Sequence, residues 1–225
     1  MLPEGVPLAG RWVALKPVVE ADLPALAAIL VEPAVYASGY VMHHRPGSID
    51  EALAMARERY LDPPACDGEG RGRVVYAVSL AADSALGGAA GTLVGTTSLG
   101  EVYLGHQRAH LGWTMYHPVV WGTAVNPETK YLLLRHCFED LGYGRVKIQT
   151  DALNTRSAAA IAKLGAVREG VLRRHLRRED GSFRDTVVFA VTAQDWPRVR
   201  DGLQARLSAI GDTSAHDLSA GSHRS

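Results

Sequence analysis

Within these 225 residues, three stretches hold side chains able to do chemistry. His110 sits in an apolar run, Ala109 to Tyr116, and an imidazole changes charge near pH ~6.5, so it can accept a proton close to neutrality. Glu101, on or just after the preceding apolar run, is a second candidate base. Pro118 to Asn126 is a run of small and turn-forming residues that opens on a helical pattern. A helix N-terminus gathers backbone N–H groups and the positive end of the helix dipole, which is what an anion site needs. Asn154 and Ser157 have the spacing of an N-cap and a third helical residue, and on spacing alone Asn154 is as readily a plain cap as a ligand.

Other chemistries are excluded. His106 and His110 are four apart, but on strands that places them ~13 Å from each other with no third ligand, so no metal site is expected. The glycine run Leu86 to Gly91 lacks a following Gly-Lys-Ser/Thr and is not a phosphate loop. Cys66 and Cys137, with no Cys-x-x-Cys pair, are expected to be free thiols. Lys plus Arg and Asp plus Glu both total 24, so no net field favours nucleic acid or an anionic membrane. The first residues carry no basic-then-apolar pattern and no run approaches the ~20 residues of a membrane span, so a cytoplasmic location is the expectation. The arginines of Arg168 to Arg184, among them Arg173, Arg174, Arg177 and Arg178, read as a solvated hairpin, with attraction of an acidic peptide or a coenzyme phosphate as the alternative.

The elements that must hold these groups follow from periodicity and caps. Trp12 to Lys16 is a strand and Ala21 to Val31 a helix. A loop over Glu32 to Gly47 carries His43 and His44, and Ser48-Ile-Asp-Glu51 is a capping box opening a helix from Ile49 to about Leu61. Strands follow at Val74 to Leu80, Leu93 to Leu99 and Ala109 to Tyr116, the last interrupted by Gly112, a residue that marks a bulge or a close backbone approach. Then come a helix over Glu128 to Leu141, a strand over Arg145 to Thr150, a helix capped by Asn154 and ended by Gly165, and strands Ala166 to Arg178 and Phe183 to Thr192 joined by a two-residue Asp180-Gly181 turn. A last helix runs to about Ile210. One domain is expected over residues 8–210, with 211–225 a disordered polar tail. The alternation predicts an α/β fold, a mixed sheet with helices on both faces.

That order, together with Gly112-Trp-Thr, Asn126-Pro-Glu-Thr-Lys130, His136-Cys-Phe-Glu139, Asn154-x-x-Ser157, Leu164-Gly, Glu169-Gly-Val-Leu172-Arg, Arg184-Asp-Thr and Asp195-Trp-Pro, resembles the GCN5-related N-acetyltransferases, in the branch of the RimJ/RimL type. The likeness covers about Leu8 to Leu207. It implies a mostly antiparallel sheet splayed at a coenzyme site, with acetyl-CoA as co-substrate. The coenzyme would be held by Trp113, Thr114 and Met115 on the bulged strand, by Trp121, Gly122, Thr123, Ala124, Val125 and Asn126 at the helix start, and by Asn154 and Ser157. The family's phosphate loop usually carries glycines where this chain reads Trp121-Gly-Thr-Ala124-Val-Asn126.

The likeness further implies that the Ser157 hydroxyl hydrogen-bonds the leaving sulfur. Relatives often have Glu before the Leu-Gly pair of the bulged strand, so His110 takes the place of the base, with Glu101 second. His43 and His44 lie where the acceptor is overhung. The expected activity is acetyl transfer to a primary amine, of a protein N-terminus, a lysine or a small molecule, by a monomer or homodimer. The competing readings are a non-catalytic acyl-CoA sensor, a transferase of a longer acyl group, and a purely structural domain.

Overall fold

The computed structural model describes residues 1–37, 41–81 and 88–221, with side chains through Ile210. In chain order the principal elements are β1 (Leu8–Ala9), β2 (Val13–Pro17), α1 (Leu23–Leu30), α2 (Pro33–Tyr36), α3 (Ile49–Ala56), β3 (Arg73–Leu80), β4 (Leu93–Tyr103), β5 (Arg108–Tyr116), α4 (Val125–Arg135), β6 (Arg145–Asp151), α5 (Thr155–Ala162), β7 (Val167–Arg177), β8 (Phe183–Thr192) and α6 (Trp196–Gly221). The strands form one sheet in the order β1-β2-β3-β4-β5-β6-β8-β7. Among the described residues only the β5/β6 pair is parallel. The expected mixed sheet is therefore the observed one.

Alternation along the strands sends side chains to two separate cores. Val75 packs with Leu23, Leu26, Leu30, Ala52 and Met55 of α1 and α3 on one face. Its neighbour Tyr76, with Val78, joins Leu132, Leu133, Ile161, Trp196 and Leu203 of α4, α5 and α6 on the other. Helices thus cover both faces. Among the described residues no helix is long and apolar enough to cross a membrane.

The helix starts depart from the sequence pattern in instructive ways. Ser48 caps α3 by accepting from Glu51 N–H at 3.1 Å, but the Glu51 carboxylate turns to Gly47 N–H (2.7 Å) and His44 instead of closing the box. Helix α4 opens at Val125, not Glu128, because Pro127 falls in the first turn, where its missing N–H costs nothing. Glu128 then serves the β1–β2 turn. Its carboxylate accepts the N–H groups of Arg11, Trp12 and Val13 and so binds that turn to α4. The β7–β8 connection is longer than two residues, with Arg178 and Ser182 paired and Gly181 at φ +83°. Backbone helix continues to Gly221, past the expected end near Ile210, through a segment that contains no proline.

Candidate active site

Two residues with left-handed backbone bracket His110. Trp113 has φ +49° and Glu101 φ +45°, values uncommon for residues with a side chain and concentrated where function holds them. Each marks a bulge. On β5, Trp113 and Thr114 oppose Thr97 alone; on β4, Glu101 and Val102 oppose Ala109 alone. Gly112 had the spacing of the bulge residue, but the positive φ falls on Trp113. What Gly112 provides is space: a Cβ there would sit 2.5 Å from His110 Nε2.

The bulges aim their side chains at one another. His110 lies under the Trp113 indole, ring centroids 4.5 Å apart, and only 3% of it is exposed. Its Nδ1 is 3.1 Å from Glu101 Oε1, while the other Glu101 oxygen takes the Lys147 ammonium. With Nδ1–H donating to the carboxylate, Nε2 carries the lone pair, and it is buried with no partner among the described residues. Burial lowers the His110 pKa, opposed by Glu101 and assisted by the charges of Lys147 and Lys130. The hydrogen bond from His110, with Lys147 behind it, holds the Glu101 carboxyl at about 2. A neutral imidazole poised on a firmly ionised carboxylate is the arrangement of a general base.

Beneath the bulge lies Lys130, from α4. Its ammonium is buried against two hydroxyls, Thr97 Oγ1 at 3.0 Å and Thr114 Oγ1 at 2.6 Å, and burial brings its pKa to about 7. No sequence signal separates this lysine from a solvated one, because its partners come from β4 and β5.

Past the pair His110–Lys147 the parallel ladder stops, and β5 and β6 part. Trp113, Thr114 and Met115 lie on the freed stretch of β5, although the Met115 side chain turns to the α1/α3 core, where Tyr60 Oη donates to its sulfur at 3.7 Å. On β6, Gln149 shares a face with Lys147, and its Oε1 is buried without a partner among the described residues. Such an orphaned acceptor suits the amide N–H groups of a pantetheine arm.

Two helix starts flank this opening. Ala124, the N-cap of α4, has no side-chain cap to offer; Thr123 Oγ1 reaches Val125 N–H at 3.3 Å, and Gly122 turns the loop at φ +80°. Ala124 and Val125 are fully buried, backbone included, which counts against their expected contact with the coenzyme; the accessible residues of this start are Gly122, Thr123 and Asn126, and Asn126 stands in the first helical turn, not at the cap. Trp121 is pinned by its indole N–H on Tyr116 O, and the Arg156 guanidinium of α5 stacks on its ring at 3.7 Å, placing a cation beside the α4 start. Arg156 carries no signal in the sequence because the stack joins segments far apart in the chain. At α5, Asn154 Oδ1 accepts from Ser157 N–H at 2.9 Å. The cap expectation therefore holds, and the Asn154 amide N–H₂ and the half-exposed Ser157 hydroxyl remain for a ligand.

The other residues expected to bind lie on the loop before α3 and on the β7–β8 hairpin. His44 is exposed and tied to Glu51 Oε1 (2.7 Å) and Glu179 Oε2 (3.1 Å), joining the loop before α3 to the β7–β8 loop. Those hydrogen bonds raise its pKa. His43 packs edge-on against Tyr36, centroids 5.7 Å apart. The arginine hairpin is not wholly solvated: Arg178 and Arg184 converge on the buried Asp151, whose Oδ1 also accepts from Leu153 N–H and so shapes the turn into α5.

A parallel pair that opens at a bulge, between two helix starts, is the architecture this chain shares with known acetyltransferases. The profile of the acetyltransferase (GNAT) domain family matches residues 13–167, and the chain belongs to that family of acetyltransferases. A structure from T. thermophilus described as an acetyltransferase is 38% identical over 92% of this chain and all of its own, with TM-score 0.75. A GCN5-related N-acetyltransferase from Brucella melitensis shares the fold at 24% identity over 92% of this chain and 87% of its own, TM-score 0.76. Mycobacterium smegmatis RimJ, in complex with CoA-disulfide, shares it at 21% identity over 90% and 93%, TM-score 0.67. No curated protein matches the sequence.

Proposed function

We propose that the protein transfers the acetyl group of acetyl-CoA to a primary amine by direct attack in a ternary complex. The observation that carries this reading is the end of the β5/β6 ladder at His110–Lys147, next to a buried imidazole nitrogen with no partner among the described residues. Acetyl-CoA supplies the activated acyl group. Gly122, Thr123 and Asn126 at the α4 start, with Arg156, hold the pyrophosphate; Asn154 and the β5 backbone at Trp113 to Met115 hold the arm. A backbone N–H at the bulge receives the negative charge that develops on the carbonyl oxygen.

In the reaction the amine nitrogen bonds to the acyl carbon and the carbon–sulfur bond breaks. The proton lost by nitrogen passes to His110 Nε2, and the departing thiolate accepts a hydrogen bond from Ser157. A serine hydroxyl is too weak an acid to protonate a thiolate of pKa ~8.5, so stabilisation is its part. Because Trp113 covers the imidazole, the proton arrives through a water relay or with the indole displaced.

Calorimetric titration with acetyl-CoA, followed by thiol release and mass identification of the product in the presence of an amine panel, tests the reading. Saturable binding and amine-dependent thiol release with stoichiometric amide are expected. Binding with no transfer to any amine would leave a sensor domain; transfer of a longer acyl group in preference to acetyl would change the donor.

A further inference from the structure

Next to Trp113 the chain assembles cations that nothing in the acyl-transfer chemistry uses. Arg73, at the start of β3, lays its guanidinium 5.0 Å from the centre of the Trp113 ring, which also packs against His110 with centroids 4.5 Å apart. It also donates to the backbone carbonyl of Arg59, in the turn that follows α3. Both guanidiniums are half-buried, and the Nε atoms of both are buried without a partner among the described residues. Tyr36 Oη, in the same cluster, is likewise buried and unpartnered among them. Burial lowers the pKa of His43, assisted by the nearby charge of Arg59 and opposed by that of Glu179, so His43 also lies within reach of the Arg59 charge.

Half-buried arginines in proteins ordinarily face carboxylates, because each buried N–H left unmade costs free energy. Among the described residues neither Arg59 nor Arg73 has an ion pair with a carboxylate, and the nearby Glu179, with Glu51, holds His44. Glu101 holds His110 and Lys147. A guanidinium fork with free donors matches a carboxylate in shape and charge.

Resting on the acetyltransferase reading, we infer that Arg59 and Arg73, with Tyr36 and His43, bind a carboxylate carried by the acceptor, so that the substrate class is an amine with an acid group a few bonds from its nitrogen. Trp113, in contact with both the His110 imidazole and the Arg73 guanidinium, links the patch to the base. A substrate anchored by its acid there presents its amine toward the bulge.

The test is thiol release with matched amines at low salt. A tripeptide amide with serine first and aspartate second is compared with its asparagine twin, and γ-aminobutyrate with its carboxamide, to separate a peptide side chain from a small amino acid as the source of the acid. The acid member of at least one pair is expected to have a kcat/KM ten-fold or more above its neutral twin, mainly through KM, with the advantage shrinking as salt rises. Arg59→Gln with Arg73→Gln should erase the preference while the acetyl-CoA dissociation constant stays within two-fold; Arg59→Lys with Arg73→Lys should keep part of it. Equal use of acid and neutral twins by the unaltered protein overturns the inference and leaves the transferase standing. A ten-fold weaker hold on acetyl-CoA in the Gln variant also overturns it, by assigning the patch to the coenzyme. Absence of turnover with every amine, with acetyl-CoA bound, overturns both.

Discussion

At the scale of single residues, the proposed base is His110, an imidazole whose protonation is shifted down by burial. The acid limb of turnover should therefore lie below the ordinary histidine value of ~6.5, not on it, when measured with an acceptor of low pKa that is neutral throughout. His110→Ala should remove that limb and cost ~10²- to 10⁴-fold in kcat. A limb unchanged in the variant would reassign the base. Ser157→Ala should lower kcat by about ten-fold or more with little change in acetyl-CoA affinity, since a hydrogen bond to the departing thiolate strengthens only as charge forms. Rapid-quench turnover alongside calorimetry separates the two effects, and an equal loss in both would make the serine a binding residue.

Lys130 gives a prediction about stability. Its folded pKa, about 7, is below the ordinary 10.5, so between these values the unfolded chain binds a proton that the folded chain does not. Stability should then rise with pH across that window, and the neutralised site is fully favourable only above the unfolded value. Lys130→Met should abolish the rise and be more stable at pH 7 by about 1–3 kcal/mol, because a lone buried charge is replaced by an apolar side chain. Urea unfolding at pH 7 and pH 9 checks this; a parallel pH dependence in both proteins would contradict it.

At the scale of elements, the β5 bulge is where sequence and structure agree in place and differ in cause. Gly112 flagged an irregularity, yet the strained backbone belongs to Trp113, and the glycine is needed because the His110 ring crosses it. Local pattern could reveal the first and not the second, since the ring's position depends on Glu101 in another strand. Gly112→Ala should destabilise by about 1–3 kcal/mol through overpacking and should disturb the imidazole. A thermal melt lowered by several degrees, with a shifted pH–rate profile, is the expected pair of results; an unchanged melt would show that the ring can move away freely. The start of α4 tells the same story. Its loop was legible from small residues before a helix, but the Glu128 carboxylate fastening β1–β2, and Arg156 stacked on Trp121, join segments distant in sequence and have no periodicity to betray them.

At the scale of the whole molecule, strand and helix periods were enough to order the elements and to place helices on both faces, because each face buries its own apolar set. What periodicity could not supply is which polar residues turn inward. Lys130, Gln149, Arg73 and Asp151 look like surface residues until the sheet brings their partners or their vacated neighbours into place. The parting of β5 and β6 is likewise a property of the assembled sheet, since it needs a bulge in one strand and a parallel neighbour that does not follow it.

Direct attack within one cleft requires both substrates to be bound before chemistry, and no covalent acyl-protein species. Initial rates of thiol release, measured over a grid of acetyl-CoA and amine concentrations, distinguish this from transfer through the protein. Double-reciprocal lines that intersect to the left of the ordinate are expected, with no acetylated protein seen by intact-mass measurement in the absence of amine. Parallel lines, together with an adduct of about 42 Da on the protein that disappears when amine is added, as a covalent acyl intermediate requires, would contradict direct transfer.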